Sequence, residues 1–343
     1  MNVSVRSFYG KCRNLIPQRL KGIISKQVFA IGLKPSINKS KKSPFKKGII
    51  VFSADFEMAW AFRYSKTLKN KAVEIGLQER ENFTKLLMLF EKHKIPVSWA
   101  TVGHLFLKEC SCNEAGFAHH ELPRPSYFEN RNWHFETGDW YENDPCGNYK
   151  TYPAWYAPDL IDLIIASSVK HEIACHTFSH CDFSYKNCTP ELAKAEISKC
   201  KELALQKGIE LKSMVFPGGT FGNYETLKEQ DFTCYRFPMA NHIDIPFIDK
   251  HGLVAIPSSL GLDKDPYNWS EGFHLKMIDS YLKKTTKSKQ VCHFWFHPSM
   301  DPWYLKNVLP FILENIEILV KRGDIEVLTM EVLAEKYKKI VND

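Results

Sequence analysis

From residue 48 onward, short apolar runs alternate with stretches in which apolar residues recur every three or four positions. The runs read as buried strands and the three-to-four spacing as helices with one face inward. Strands are predicted at 48–56, 96–103, 171–175, 212–216, 232–237, 252–257, 290–296 and 324–328, and helices at 78–93, 159–169, 190–207, 270–284 and 302–321. Thr189 before Pro190 supplies an N-cap hydroxyl and a proline at the first helical position. Strand followed by helix, repeated seven or eight times, predicts a parallel α/β architecture and favours a barrel over an open sheet. Residues 110–157 break the rhythm with a segment rich in Pro, Asn, Trp, Tyr and His that is too long for a structureless connection. Following the second strand, it is placed as an insertion over the barrel mouth, where it can act as a substrate lid or simply pack its aromatic residues, Trp133, Trp140, Tyr141 and Trp155 among them.

The N-terminus has a different pattern. Between residues 7 and 33, Phe8, Leu15, Ile16, Leu20, Ile23, Ile24, Val28 and Ile31 recur at helical spacing, with Arg13, Arg19, Lys21 and Lys26 between them. Pro17 interrupts a continuous helix, so the regular part is expected to start there. A basic amphipathic helix fits either peripheral contact with anionic lipid or packing on the main domain. Residues 34–47, with Pro35, Pro44, several Ser and Asn and six Lys, read as a linker. The predicted organisation is a basic helical extension and linker at 1–47 and a barrel at 48–343, inserted at about 110–157.

Charge sharpens this division. The chain has 343 residues and a net charge of +7, yet residues 1–47 hold twelve Lys or Arg and no acid, so the remainder carries 34 basic and 39 acidic side chains. Without basic residues spread around a working groove, a nucleic-acid partner is disfavoured. No run reaches the roughly 18 apolar residues of a membrane span, and no N-terminal stretch has signal-peptide length. The ten cysteines lack a framework spacing, which suggests reduced thiols in a cytoplasmic protein, peripheral at the inner membrane if the basic helix binds lipid. Cys110 and Cys112, followed by His119 and His120, are a conceivable second metal group, but the C-x-C step lacks the usual structural-zinc spacing.

Three strand ends carry ligand-type residues. The first gives Asp55-Phe56-Glu57, two carboxylates on one side of an extended chain. The third runs into His176-Thr177-Phe178-Ser179-His180, a His pair that can share a metal across a helix turn or a tight loop. In the late strand, alternation puts His293, Trp295 and His297 on one face, with His297 at the C-terminal end where barrels place catalytic groups and His293 deeper, as a hydrogen-bonded structural residue.

Asp-x-Glu after the first strand, His-Thr-Phe-Ser-His after a central one, Phe-Pro-Gly-Gly at 216–219 and a late His together resemble the NodB-homology polysaccharide deacetylases, carbohydrate esterase family four, over about residues 48–330. The resemblance implies a distorted (β/α) barrel holding one divalent metal ion, with zinc the expected choice, bound by an acid and two His. It implies His176 and His180 as metal ligands and His297 as catalytic acid. Phe56 stands where the common motif has a second Asp, which makes the chain similar to an acid-x-acid branch with Asp55 as base and Glu57 as ligand; Ala59 and Trp60 share that likeness. Val215 stands where many members have an Arg, which leaves open what orients the base, with Arg236 a candidate alongside a purely structural role. For the acid, Asp263 and Asp301 are candidate carboxylate neighbours. Trp60, Trp140, Trp295, Pro217 and Gly218 are expected to contact substrate.

These assignments imply hydrolysis of an N-acetyl amide on a sugar or glycan, an intermediate linked to lipid or nucleotide in bacterial surface polysaccharide synthesis. Two other readings stay open: an amidohydrolase of small non-sugar amides, and a glycan-binding barrel without turnover, for which Phe56 and Val215 speak.

Overall fold

The computed structural model describes residues 17–32 and 34–342. The part of the predicted N-terminal pattern before Pro17 lies outside them. All eight predicted strands are present: β1 Gly48–Phe56, β2 Ser98–Thr101, β3 Glu172–Cys175, β4 Ser213–Met214, β5 Cys234–Phe237, β6 Val254–Pro257, β8 Val291–Phe296 and β9 Ile325–Leu328, with a short extra β7 at Leu260–Gly261. Eight of the nine form a curled parallel run in which β1 pairs with β2 and β8, β2 with β3, and so on through β4 and β5 to β6, while β9 pairs with the first half of β1. The segment 254–261 pairs first with β5 through β6 and then with β8 through β7. One chain segment that changes partner at Ser258 and Ser259 therefore lies against both β5 and β8, and Phe247–Ile248 adds an antiparallel strand outside β6.

The alternation of side chains explains both the core and the mouth. Along β1, Ile50, Phe52, Ala54 and Phe56 face outward to α2 (Ala72–Lys92), where Phe52 meets Phe90 at 5.3 Å and Phe56 meets Phe83 at 4.8 Å between ring centroids. Each such fully buried ring stabilises the fold by roughly 1.5–3 kcal/mol. Ile49 and Val51 face inward, sharing a second cluster with Ala100, Ala174, Val215, Cys234, Val254 and Val291 that is closed below by Met330, Leu333 and Tyr337 of α9 (Met330–Asn342). The interior is thus apolar below the mouth, with a buried polar contact at the strand starts, where Ser98 Oγ donates to Glu172 Oε2 at 2.5 Å. Continuing the same parity upward gives Ser53, Asp55 and Glu57 on β1, His176 after Ala174, Arg236 after Cys234, and His293, Trp295 and His297 after Val291, so polar groups converge at the C-terminal ends.

The other helices are α1 Gln18–Ala30, α3 Pro158–Ala166, α4 Pro190–Leu205, α5 Tyr224–Glu229, α6 Glu271–Ser288, α7 Pro302–Asn307 and α8 Leu309–Lys321. The predicted Thr189 cap is formed, its side chain accepting from Leu192 N–H. The single helix predicted over 302–321 is divided at Val308, because Pro310 lacks an N–H and crowds the preceding turn.

Two sequence expectations are corrected. Residues 34–47 are not a free linker: Ser36–Ile37 pairs in parallel with His242–Ile243, and the Gln290 side chain donates to Asn38 O at 2.7 Å. Cys112 and Cys146 form a disulfide, so the expected fully reduced thiol set fails for this pair, and the cytoplasmic setting loses its support from thiol chemistry, since such bonds persist mainly in oxidising compartments. Among the described residues, seven further cysteines are free thiols. Helix α1 begins at Pro17 as expected and packs on the main domain through Phe29, which meets Phe273 and Tyr281 of α6 at 6.4 and 6.3 Å. Lys284 Nζ fastens the end of α1 by donating to the carbonyls of Gly32 and Pro35 at 2.8 and 2.7 Å.

At the start of β3, Val97 N–H donates to His171 Nδ1 at 3.1 Å, and burial lowers the imidazole pKa from 6.5 to about 4 against the opposing charge of Glu91. Protonating Nδ1 removes that acceptor. A folded-state pKa below the unfolded one gives stability that is present above about pH 6.5 and lost as pH falls toward 4, here up to about 3 kcal/mol. Urea unfolding at pH 7 and pH 4.5 is expected to show a smaller stability difference in His171→Asn than in the parent chain; equal differences would refute this account.

Candidate active site

The strand end of β1 delivers the acid pair and the turn after β3 delivers the histidines. Glu57 Oε1 lies 3.0 Å from His176 Nε2 and 3.3 Å from His180 Nε2, all three residues being buried. His297 Nε2 stands on the open side, 3.7 Å from Glu57 Oε1 and 3.9 Å from Asp55 Oδ2. Asp55 is gripped by the Arg236 guanidinium, Nη1 to Oδ1 at 2.5 Å and Nη2 to Oδ2 at 2.6 Å, a bidentate fork that fixes the carboxylate plane. Arg236 Nη1 also donates to Ser53 Oγ, which pairs with His293 Nε2 at 2.8 Å. Burial, with Arg236 adding to it, holds His293 well below its usual pKa, so it is a neutral structural histidine.

Local backbone is bent to make this arrangement. Met58, Thr177 and His180 have φ of 51°, 59° and 55°, in the left-handed region that side chains normally avoid, at a cost of roughly 1–3 kcal/mol each. The histidine turn is held from several sides. Thr177 O and Phe178 O accept from Gly103 N–H and His104 N–H at 2.8 and 2.9 Å, Glu196 accepts from Ser179 N–H at 2.8 Å, and Arg63 donates to Ser179 O at 2.8 Å. Gly103 must be glycine here, since a Cβ would fall 3.0 Å from Phe178 Cα and 2.6 Å from Cys200 Sγ.

The donor set fits a metal ion. His176 Nδ1 is 2.7 Å from Val215 O, so that nitrogen carries the proton and Nε2 presents a lone pair to a carboxylate oxygen. Two acceptors face each other, the arrangement a shared cation resolves, and two imidazoles with one carboxylate are a normal catalytic zinc set. Burial would raise the Glu57 pKa, but the neighbouring His180 and His297 outweigh it and hold the carboxylate well below its usual range.

A cavity of about 840 Å³ opens above these groups, lined by Asp55, Glu57, His180, Arg236, Trp295 and His297 together with Trp133, Phe216, Gly218 and Phe221. A second lobe of about 400 Å³ shares Asn241, Leu260, Gly261, Trp295 and His297 with it and is walled by Ser25 and Phe29 of α1. Of the expected substrate contacts, Trp295 and Gly218 line the cavity and Pro217 does not. Trp60 and Trp140 are corrected: they are 1% and 2% exposed, and sandwich the Arg63 guanidinium at 4.5 and 4.3 Å. Their place is taken by Trp133, whose indole packs on His180 at 5.0 Å and against the space a Cβ at Gly218 would fill. The insertion thus does reach the mouth, through residues 131–133. Of the candidate neighbours of His297, Asp301 instead caps α7, accepting from Trp303 N–H at 2.8 Å, while Asp263 lines the second lobe with His297.

Supporting residues escaped the sequence reading. Glu79 accepts from Glu57 N–H at 3.0 Å, and Asn82 donates to the carbonyls of Pro298 and Met300, both at 2.9 Å. Burial and then the Glu57 charge raise the Glu79 pKa well above the usual range. Their signal was two polar residues three apart on the apolar face of α2.

No family model matches the chain, and no curated protein matches it in sequence. Solved structures do. A protein from Mycobacterium smegmatis assigned as a polysaccharide deacetylase shares 14% identity at a TM-score of 0.56, over 87% of this chain and 93% of that one. Another so assigned, from Pseudomonas aeruginosa PAO1, shares 13% at 0.53, over 85% and 91%. Puue allantoinase shares 12% at 0.52, over 84% and 89%. At these identities the likeness is one of fold, and the chain has the distorted barrel of the NodB-homology polysaccharide deacetylases.

Proposed function

We propose that the protein is a metal-dependent deacetylase that hydrolyses an N-acetyl group on a glycan. The observation that carries this reading is the convergence on one cavity of Glu57 with His176 and His180, of Asp55 locked by Arg236, and of His297 at the rim. Glu57, His176 and His180 would hold the ion, zinc being the expected one; when bound, it polarises the acetyl carbonyl and acidifies water. Asp55 takes the proton of the attacking water, its plane and reach fixed by the Arg236 fork. His297, at the rim with its Nε2 3.9 Å from Asp55 Oδ2, gives a proton to the departing amine. The two-lobed groove, with Trp133 and Trp295 on its walls, favours a substrate of several sugar units over a small cyclic amide, because aromatic faces stack on the apolar faces of sugar rings. Helix α1 supports a lipid-linked form of the substrate: Leu20 and Ile23 are each 47% exposed, beside exposed Arg19 and Lys26.

The test is acetate release from N-acetylhexosamine oligomers, set against ring-opening of small cyclic amides. Oligomer deacetylation that stops on chelation and returns with zinc is expected. Undiminished turnover after chelation would refute the metal, and faster ring-opening would refute the glycan.

A further inference from the structure

Behind the histidine turn, in a place the deacetylase reading does not use, His104, Cys110, His119 and Asp144 bring their ligand atoms within 4.8 Å of one another. We infer that these four residues form a second divalent-metal site, structural and of the zinc type, independent of the one at Glu57. His104 Nε2 and His119 Nε2 converge on one oxygen, Asp144 Oδ2, at 2.8 and 3.0 Å. Cys110 Sγ lies 3.4 Å from the same carboxylate. His104 turns Nε2, its closer ring contact, toward the carboxylate, while Nδ1 lies 3.3 Å from Trp155 O, where it can hold the ring proton when Nε2 serves as a ligand. All three meet away from solvent, His104, His119 and Asp144 being 0%, 8% and 7% exposed, as ligands of a structural ion are.

The carboxylate is prepared for one-oxygen ligation. Its Oδ1 accepts from Tyr156 O–H at 2.7 Å and Cys146 N–H at 3.1 Å, leaving Oδ2 for the ion. Two imidazoles, a thiolate and a carboxylate make a tetrahedral set, whose ligand atoms stand about 3.3–3.8 Å apart around zinc, so the observed spacings need adjustments of about 0.5 Å at the closest pairs. Of the group weighed from sequence, Cys110 and His119 remain; Cys112 is in the disulfide and His120 is exposed. His104 and Asp144, 40 residues apart, replace them. Since His104 N–H holds Phe178 O at 2.9 Å, the ion fastens the insertion to the turn that carries His176 and His180.

Cobalt(II) reconstitution of the full chain tests this. The Glu57 site has no sulfur ligand, so a near-ultraviolet sulfur-to-cobalt charge-transfer band reports Cys110. Two cobalt ions per chain with that band are expected in the parent protein, with the band kept in His176→Ala and lost in Cys110→Ser together with one ion. One ion and no such band in the parent protein, which needs no variant to fold, would overturn the site, as would a band that persists in Cys110→Ser.

Discussion

Asp55→Asn is expected to lower kcat for acetate release by about 10²–10⁴ while leaving KM and the metal content near those of the parent. Asparagine keeps the shape and can still accept one hydrogen bond from Arg236, so the substitution removes proton acceptance and little else. The companion Arg236→Lys tests positioning: an ammonium cannot reproduce a fork with bonds to both oxygens, and a loss of about 10- to 100-fold in kcat is expected even though the charge is kept. Turnover by Asp55→Asn within a factor of two of the parent would remove Asp55 as the base.

His176→Ala and Glu57→Ala are each expected to cost the protein one equivalent of bound metal and at least about 10³ in turnover, the equivalent of several kcal/mol of transition-state stabilisation. The two variants differ in what they leave behind. Without His176 the carboxylate remains beside His180, whereas without Glu57 two buried imidazoles lose the anion that draws them together. Metal analysis alongside acetate release reads both effects, and unchanged metal content with unchanged rate in His176→Ala would end the assignment of this pocket.

Much of this was legible in the sequence because a barrel strand is buried on both faces. Its apolar run is continuous, and the polar residue that ends the run marks the mouth. That is how the acid pair, the histidine turn and His297 stood out. Arg236 was a candidate from the sequence, and parity supports it, since it lies two residues beyond inward-facing Cys234; that it grips Asp55 was not legible, because which strand lies opposite β1 depends on the partner change at Ser258 and Ser259, for which local sequence has no signature. The insertion was harder. Trp60, Trp133 and Trp140 are chemically alike, and only packing around Arg63 decides that two are interior and one faces the cavity. Pairings across tens of residues, Cys112 with Cys146 or His104 with Asp144, leave no periodic trace.

The seating of α1 bears on how attachment to a surface can be studied. Ser25 and Phe29 form a wall of the lobe next to His297, and Ser36–Ile37 is stitched to the strand that follows Asn241, a residue common to both lobes. A truncated protein that lacks its first 45 residues would therefore have a breached binding groove, and its slower turnover would say nothing about lipid. Separating the two calls for polar replacements at outward-pointing Leu20 and Ile23, which leave the wall intact.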